Sequence, residues 1–335
     1  MTCWGTRGSL PRAADASQWR ERFASLLHQA DRACFDLRDA ELEAWLDRLP
    51  WPLTYGGETT CTQIDHAGRR LLVDMGSGLR AAGEQILRTS DGSAEAEDSP
   101  DHDHHVLLSH LHWDHIMGLP LFAPLHRPGH RLHVHHVHAA APEHLRLLFN
   151  GVNFPLTWDA VAESIDFHRL EPRRSAEVGG FLVTPYLLDH PGDAYGFRVE
   201  AGGRSVAIAV DTEATRRTPE QLGEDAKLYR GADLLLIDAQ YRGSQLATRT
   251  GWGHGSPPRA VELARSFGVP RLWLTHHDPS ADDADLDALQ REAQDAAAAG
   301  GGAADALNTA GGQGLAVALA YDGLRVELPS GDSAG

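Results

Sequence analysis

Apolar residues along this chain come mostly in short runs closed by polar turns, interrupted once by a longer stretch of helical spacing. From Ser17 to Leu49, Trp19, Phe23, Leu26, Leu27, Ala30, Cys34 and Leu37 recur at helical intervals, and Leu42, Trp45, Leu46 and Leu49 continue the pattern until Pro50 stops it. That spacing predicts a helical pair, an insertion at about residues 14–50 between two glycine-rich turns. Short apolar runs at 70–73, 106–108, 132–137, 181–184, 206–210, 234–237 and 272–274 are bounded by Gly, Pro, Asp or His and predict strands, many of them buried. Thr218, Pro219 and Gln221 have the form of a helix-opening capping box. Ser256, Pro257 and Gly268 bracket a helix carrying Val261, Leu263, Ala264 and Phe267. Residues 91–104, polar and acidic, and 296–314, rich in Ala and Gly, read as loops. Strands alternating with helices, without an internal repeat, indicate an α/β protein.

Composition narrows the class. The hydrophobic fraction of 42% and charged fraction of 23% are those of a soluble globular chain, and no stretch approaches the ~18 apolar residues of a membrane span. The opening segment has neither a basic-then-apolar signal nor an amphipathic Arg/Ser presequence, so a cytoplasmic location and no membrane partner are expected. Cys3, Cys34 and Cys61 are too few and too far apart for a disulfide framework or a thiolate cage. Any metal must be held by His and carboxylates. The net charge of −17 repels extended polyanions, which makes long nucleic acid a poor partner. A small anion is still admissible, because divalent ions invert the field around one site.

The chemistry concentrates in SHLHWDHIMG. His110 and His112 stand at period two just after the apolar run 106–108, so both imidazoles leave a strand end on the same side, and Asp114 and His115 follow on the next turn. Imidazoles mixed with a carboxylate suit zinc, manganese or iron, and leave room for two ions about 3.5–4 Å apart. Twelve of the twenty histidines fall between His102 and His138, so number alone selects nothing. Spacing does: DHDHH lies in a polar stretch, and His133, His135, His136 and His138 have no carboxylate nearby in sequence and read as solvated or incidental.

The HxHxDH pattern in its strand-to-loop context resembles the metallo-β-lactamase fold superfamily of metal-dependent hydrolases. The resemblance implies an αββα sandwich, two mixed β-sheets flanked by helices, here as one domain over 1–335, and two divalent ions, zinc first with Mn²⁺ or Fe²⁺ as alternatives. It also carries over further ligands: His190 in LLDHPGD, Asp211 ending VAIAVD, and His276 after RLWLT. One ion would then sit on His110, His112, His190 and Asp211, the other on Asp114, His115, Asp211 and His276, with Asp211 bridging. His276 is preferred to its neighbour His277 because the family's last histidine directly follows the strand and its Thr.

Three stretches, WGTRGSLP, YGGETTC and GHGSPPRAVELARSFGVPRLWLTHHDP, resemble the branch holding ribonuclease Z and the cyclic-phosphate phosphodiesterases. That branch implies hydrolysis of a small, cyclic or linear phosphodiester, with Asp114, His254 and Asp238 catalytic: His254 as general acid and Asp238 as its carboxylate partner. Glu58 stands where relatives have Asn, which removes an anion contact from that turn. The first strand should be short, or the true start lies upstream. A long tRNA-gripping arm is not evident, and a homodimer is compatible with the resemblance. The alternatives are a thioester, lactone or β-lactam hydrolase on the same metals, and a metal-binding sensor without turnover. Asp74 in LLVDMGSG reads mainly as a turn-forming aspartate, and GTRGS as a weak candidate phosphate cradle.

Overall fold

Two β-sheets, each built from strands taken in chain order, pack face to face with helices outside them. The computed structural model describes residues 1–14, 16–30, 39–46, 52, 54–90, 102–299 and 314–329. The first sheet runs β1 (Thr2–Gly5), β2 (Cys61–His66), β3 (Arg69–Val73), β4 (Asp103–Leu108), β5 (Arg131–His136) and β6 (Ile165–Arg169). The second holds β7 (Ala176–Val178), β8 (Phe181–Leu187), β9 (Tyr195–Ala201), β10 (Arg204–Ala209), β11 (Leu234–Asp238), β12 (Arg271–Thr275) and β13 (Ala316–Leu319). The helices are α1 (Ala16–Gln29), α2 (Asp39–Leu46), α3 (Leu79–Ser90), α4 (Ala141–Arg146), α5 (Pro219–Leu222), α6 (Pro257–Ser266) and α7 (Asp283–Ala299). None of the described helices is long and apolar enough to cross a membrane.

The alternation of strand side chains produces the layers. Leu71, Val73 and Leu107 point inward and meet Phe181, Val183, Phe197, Val206, Ile208, Leu234 and Leu236 of the other sheet. Their neighbours Leu72, Val106, Leu108 and Val134 point outward onto Leu79, Ala82 and Ile86 of α3. On the far side Ala207, Ala209, Leu235, Ile237, Leu272 and Leu274 face α6 and α7. Central strands are therefore buried on both faces, which is why they read as unbroken apolar runs. Each fully buried Leu, Ile, Val or Phe contributes about 1.5–3 kcal/mol. The capping box at Thr218 is formed, with Gln221 reciprocating.

The helical pair expected between 17 and 49 exists as α1 and α2; helical spacing of this kind ordinarily marks a buried face, but that of α1 is largely exposed. Trp19, Phe23 and Leu27 stand 43%, 59% and 59% exposed. Arg22 turns inward instead: Nε bonds Asp283 at 3.2 Å and Nη1 bonds Asp287 at 3.0 Å, both on α7 and both also contacted by Tyr55. A partly buried charge network thus orients this helix in preference to its apolar face. Cys34, Leu37 and Leu49, and most of the two expected loops, lie outside the described residues.

Arg22→Ala would leave Asp283 and Asp287, among the described residues, with their bonds from Tyr55. It should cost about 1–2 kcal/mol in urea unfolding and hasten protease cleavage within 16–30. An unchanged cleavage rate would show that other contacts hold α1.

Candidate metal centre

Parallel pairing sets the carboxyl ends of β10, β11 and β12 side by side, with Ala209 opposite Ile237 and Asp238 opposite Thr275. Ligands collect at such strand ends in open α/β sheets. Asp211 follows β10, Asp238 ends β11 and His276 directly follows β12, while His190 stands in the turn after β8. From the first sheet, β4 ends at Leu108 and the chain delivers His110, His112 and a single 3₁₀ turn, Trp113–His115, that carries Asp114 and His115.

The two carboxylate oxygens of Asp211 face two different groups. Oδ2 lies 3.6 Å from His110 Nε2 and 3.9 Å from His190 Nε2, which is itself 3.2 Å from His112 Nδ1. Oδ1 lies 3.0 Å from His115 Nε2 and 2.9 Å from His276 Nε2. Asp114 Oδ2 completes the second group at 3.2 Å from His276 Nε2 and 3.4 Å from His115 Nε2. Potential ligand atoms of His110, His112, His190 and Asp211 lie within 4.8 Å of one another, as do those of Asp114, His115 and His276.

A metal fits this arrangement on two grounds. His110 Nε2, His115 Nε2 and both Asp211 oxygens are buried without a hydrogen-bond partner, although leaving such atoms unsatisfied costs about 1–3 kcal/mol or more. The donors, imidazole and carboxylate, also suit zinc, iron or manganese. Electrostatics agree. Burial opposes charge on His115, but Asp211, Asp114 and Asp74 outweigh it and raise its pKa well above the ordinary value. Burial likewise opposes charge on His276, yet Asp211 and Asp114 push it up to about 10. Asp114 and Asp211 are held below the usual carboxylate range by these imidazoles, against their own burial. A cation entering here must displace those protons, so its affinity falls with pH.

Surrounding groups fix the ring orientations. His115 Nδ1 bonds Asp74 Oδ2 at 2.8 Å, and the same carboxylate accepts from the Ser109 amide and hydroxyl. His190 Nδ1 donates to the Gly253 carbonyl at 3.0 Å, which turns Nε2 inward. The Ser9 amide donates to Asp114 Oδ2 at 2.7 Å. Asp74, Asp211 and His276 all take positive φ, +63°, +57° and +63°, a conformation that costs non-glycine residues of order 1–3 kcal/mol and gathers at functional sites.

Beside this cluster, His254 Nδ1 bonds Asp238 Oδ2 at 2.7 Å, and its ring stacks on His276 at 4.8 Å. Asp238 is fully buried; its Oδ1 accepts from the Gln240 and Gly255 amides, and Oδ2 lies 3.4 Å from His276 Nδ1.

All nine residues singled out in the sequence, His110, His112, Asp114, His115, His190, Asp211, Asp238, His254 and His276, are brought together. His277 turns away, donating Nε2 to the Ala320 carbonyl at 2.8 Å. Glu58 is occupied by Ser77 at 2.5 Å and Arg80 at 3.3 Å. Sequence reasoning undervalued Asp74, although Leu72-Val73-Asp74 has the same form as Ala209-Val210-Asp211, an aspartate closing a buried run. Within GTRGS, weighed as a weak phosphate cradle, the Ser9 amide donates to Asp114.

Residues 69–277 match the family described as Beta-lactamase superfamily domain. An uncharacterized protein of Mycobacterium bovis is 28% identical over 224 residues, spanning 62% of this chain and 70% of that protein. Ribonuclease Z of Bradyrhizobium sp. (strain ORS 278) is 26% identical over 262 residues, spanning 64% of this chain and 81% of the enzyme. A diphosphatase from the PhnP family shares the fold, with a TM-score of 0.58 at 18% identity over 98% of this chain and 96% of that one.

Gly8 lies so close to the cluster that an added Cβ would stand 2.5 Å from His276 Cε1 and Nδ1. Gly8→Ala should therefore displace that ring and cost about 1–3 kcal/mol, read as a lowered thermal midpoint. An unshifted midpoint would mean the loop yields freely.

Proposed function

The chain belongs to the beta-lactamase superfamily, and from that premise we propose that it is a dinuclear metal-dependent hydrolase of a small phosphodiester. The observation that carries the reading is the Asp211 carboxylate, buried and without hydrogen bonds between two groups of ligands. His110, His112, His190 and Asp211 would hold one divalent ion, and Asp114, His115, Asp211 and His276 the other, with zinc favoured. Bound there, such a pair supplies an activated water and charge stabilisation for the ester's oxygens.

The chain's own residues supply the rest. Asp114, tied to the Ser9 amide, stands 3.4 Å from His115 Nε2 and 3.2 Å from His276 Nε2. Asp238 holds His254 through Nδ1, so Nε2 is the atom from which a proton passes to the leaving oxygen. Burial of Asp238 and its two backbone donors keep that carboxylate stationary while the imidazole gives up its proton.

Phosphodiesters are favoured over other esters by likeness to a relative named ribonuclease Z and to a diphosphatase, and by the wall beside His254. Arg249 lies over Tyr241 at 4.6 Å and over Trp252 at 5.9 Å, Tyr241 lies 6.0 Å from His254, and Trp252 is 58% exposed. A cation stacked on flat rings suits a phosphate joined to a planar group. The net charge of −17 favours a small ester over a long polyanion.

Protein purified without chelator should carry close to two transition-metal ions per chain by elemental analysis. Asp211→Ala should lose more metal than any single histidine change, because it serves both ions. A chain without tightly bound metal at neutral pH would sink the assignment. Bis(p-nitrophenyl) phosphate should be cleaved much faster than a chromogenic β-lactam or a glutathione thioester, and the reverse order would select a different hydrolase. His254→Ala should lower kcat by on the order of 10²–10⁴ for a poor leaving group and far less for p-nitrophenolate, with metal content intact. Equal losses on both leaving groups would instead make His254 a phosphate contact.

A further inference from the structure

A second gathering of metal-ligating side chains lies on β4, β5 and β6, toward the edge strand of the first sheet. His105 is in register with His133 and His133 with Asp166; two residues on, His135 is in register with His168. Leu107, Val137 and Leu170 of the same face belong to the core between the sheets, so these imidazoles continue that face to its margin. His105 precedes His110 by five residues, on the order of 15 Å of extended chain. Sequence reading set His133 and His135 aside for want of a nearby carboxylate and His105 as part of a polar stretch. The register supplies two, Asp103 and Asp166, from the neighbouring strands.

The geometry is that of a prepared ligand pair. Asp103 Oδ1 accepts from His133 Nε2 at 3.2 Å, which fixes the tautomer and leaves the lone pair on Nδ1. That Nδ1 faces His168 Nε2 at 3.1 Å, with Asp166 Oδ2 3.7 Å away. Two nitrogens about 3 Å apart form the edge spanned by two bonds of about 2.0–2.1 Å meeting near a right angle. His168 offers its own lone pair once its proton moves to Nδ1. His105 stacks on His133 at 4.7 Å and His135 on His168 at 4.8 Å, holding both ring planes. Burial, reinforced by neighbouring imidazoles, pushes His105 down to about 4 and His135 to about 3, so these backing rings add no charge against a cation. The side chains of His133 and Asp166 are 18% and 38% exposed and His168 is exposed, so solvent reaches these groups directly.

We propose that His133 Nδ1, His168 Nε2 and Asp166 form a peripheral transition-metal site, taking ions such as Zn²⁺, Ni²⁺ or Cu²⁺ in preference to Mg²⁺ or Ca²⁺. Arg131 Nη2 holds Asp166 Oδ2 at 2.6 Å, and binding trades this exposed ion pair, worth about 0–1 kcal/mol, for coordination. The site shares no residue with the catalytic assignment and does not depend on it.

The test silences the centre with His110→Ala, His115→Ala, Asp211→Ala and His276→Ala in the full chain, then titrates the chelator-stripped protein with Ni²⁺ by calorimetry. One equivalent should bind, while Mg²⁺ gives no binding heat. Adding His168→Gln, a change at an exposed position that leaves the core untouched, should weaken the Ni²⁺ equivalent about tenfold or more, and His133→Gln should abolish it. Absence of that equivalent, or its survival unchanged with His168→Gln, overturns the site.

Discussion

One carboxylate sets the terms for the rest of the molecule. Asp211 is 1% exposed, takes a left-handed backbone conformation at the end of β10, and has no hydrogen bond on either oxygen. Burying a carboxylate costs several kcal/mol unless positive charge meets it. In the protein alone that charge comes from His115 and His276, which their carboxylate neighbours keep protonated far above the usual imidazole range. Each imidazole needs its own fixed position, and the strand ends, the 3₁₀ turn and the Gly8 loop are arranged to supply it.

The two sheets divide this work in a parallel way. On the first, Asp74 closes the buried strand β3 and accepts from His115. On the second, Asp238 closes β11 and accepts from His254. Each aspartate also accepts from backbone amides, of Ser109 in one case and of Gln240 and Gly255 in the other. Neither carboxylate can rotate without breaking main-chain bonds, so the imidazoles they hold are as rigid as the strands behind them. The αββα layering matters to function because it provides buried strands whose ends are fixed from both faces.

How much of this could be read from sequence followed from how local each signal is. The central strands announced themselves because burial on both faces leaves unbroken apolar runs, and His110, His112, Asp114 and His115 because they fall within six residues. His190, Asp211 and His276 were found by resemblance, as single polar residues closing or following apolar runs, and His254 by resemblance in the glycine-rich GWGHGS. Strands β2, β6, β7, β9 and β13 were not anticipated: Cys61–His66, Ile165–Arg169, Ala176–Val178 and Tyr195–Ala201 mix polar residues into their runs, and Ala316–Leu319 is short. The orientation of α1 was misjudged because its anchors, Asp283 and Asp287, lie more than 250 residues away in the chain. Cross-strand pairs such as His133 with Asp103 and Asp166 exist only once register is known.

The order of strands bears on how the chain is made. Within each sheet every strand pairs with its neighbours in sequence, so both can assemble by local zippering as the chain emerges. The contact between Asp114 and His276 spans 162 residues and must wait for nearly all of the second sheet. At 5–20 residues per second, synthesis leaves a gap of roughly 8–32 s between the two halves of the pocket. Until β8, β9 and β10 emerge, the inward face of the first sheet, with Ile64, Leu71, Val73 and Leu107, has no partner layer. A nascent chain of this kind should therefore depend on chaperone cover between the two sheets, and slowing translation after β6 should lower the yield of native protein more than slowing it before β2.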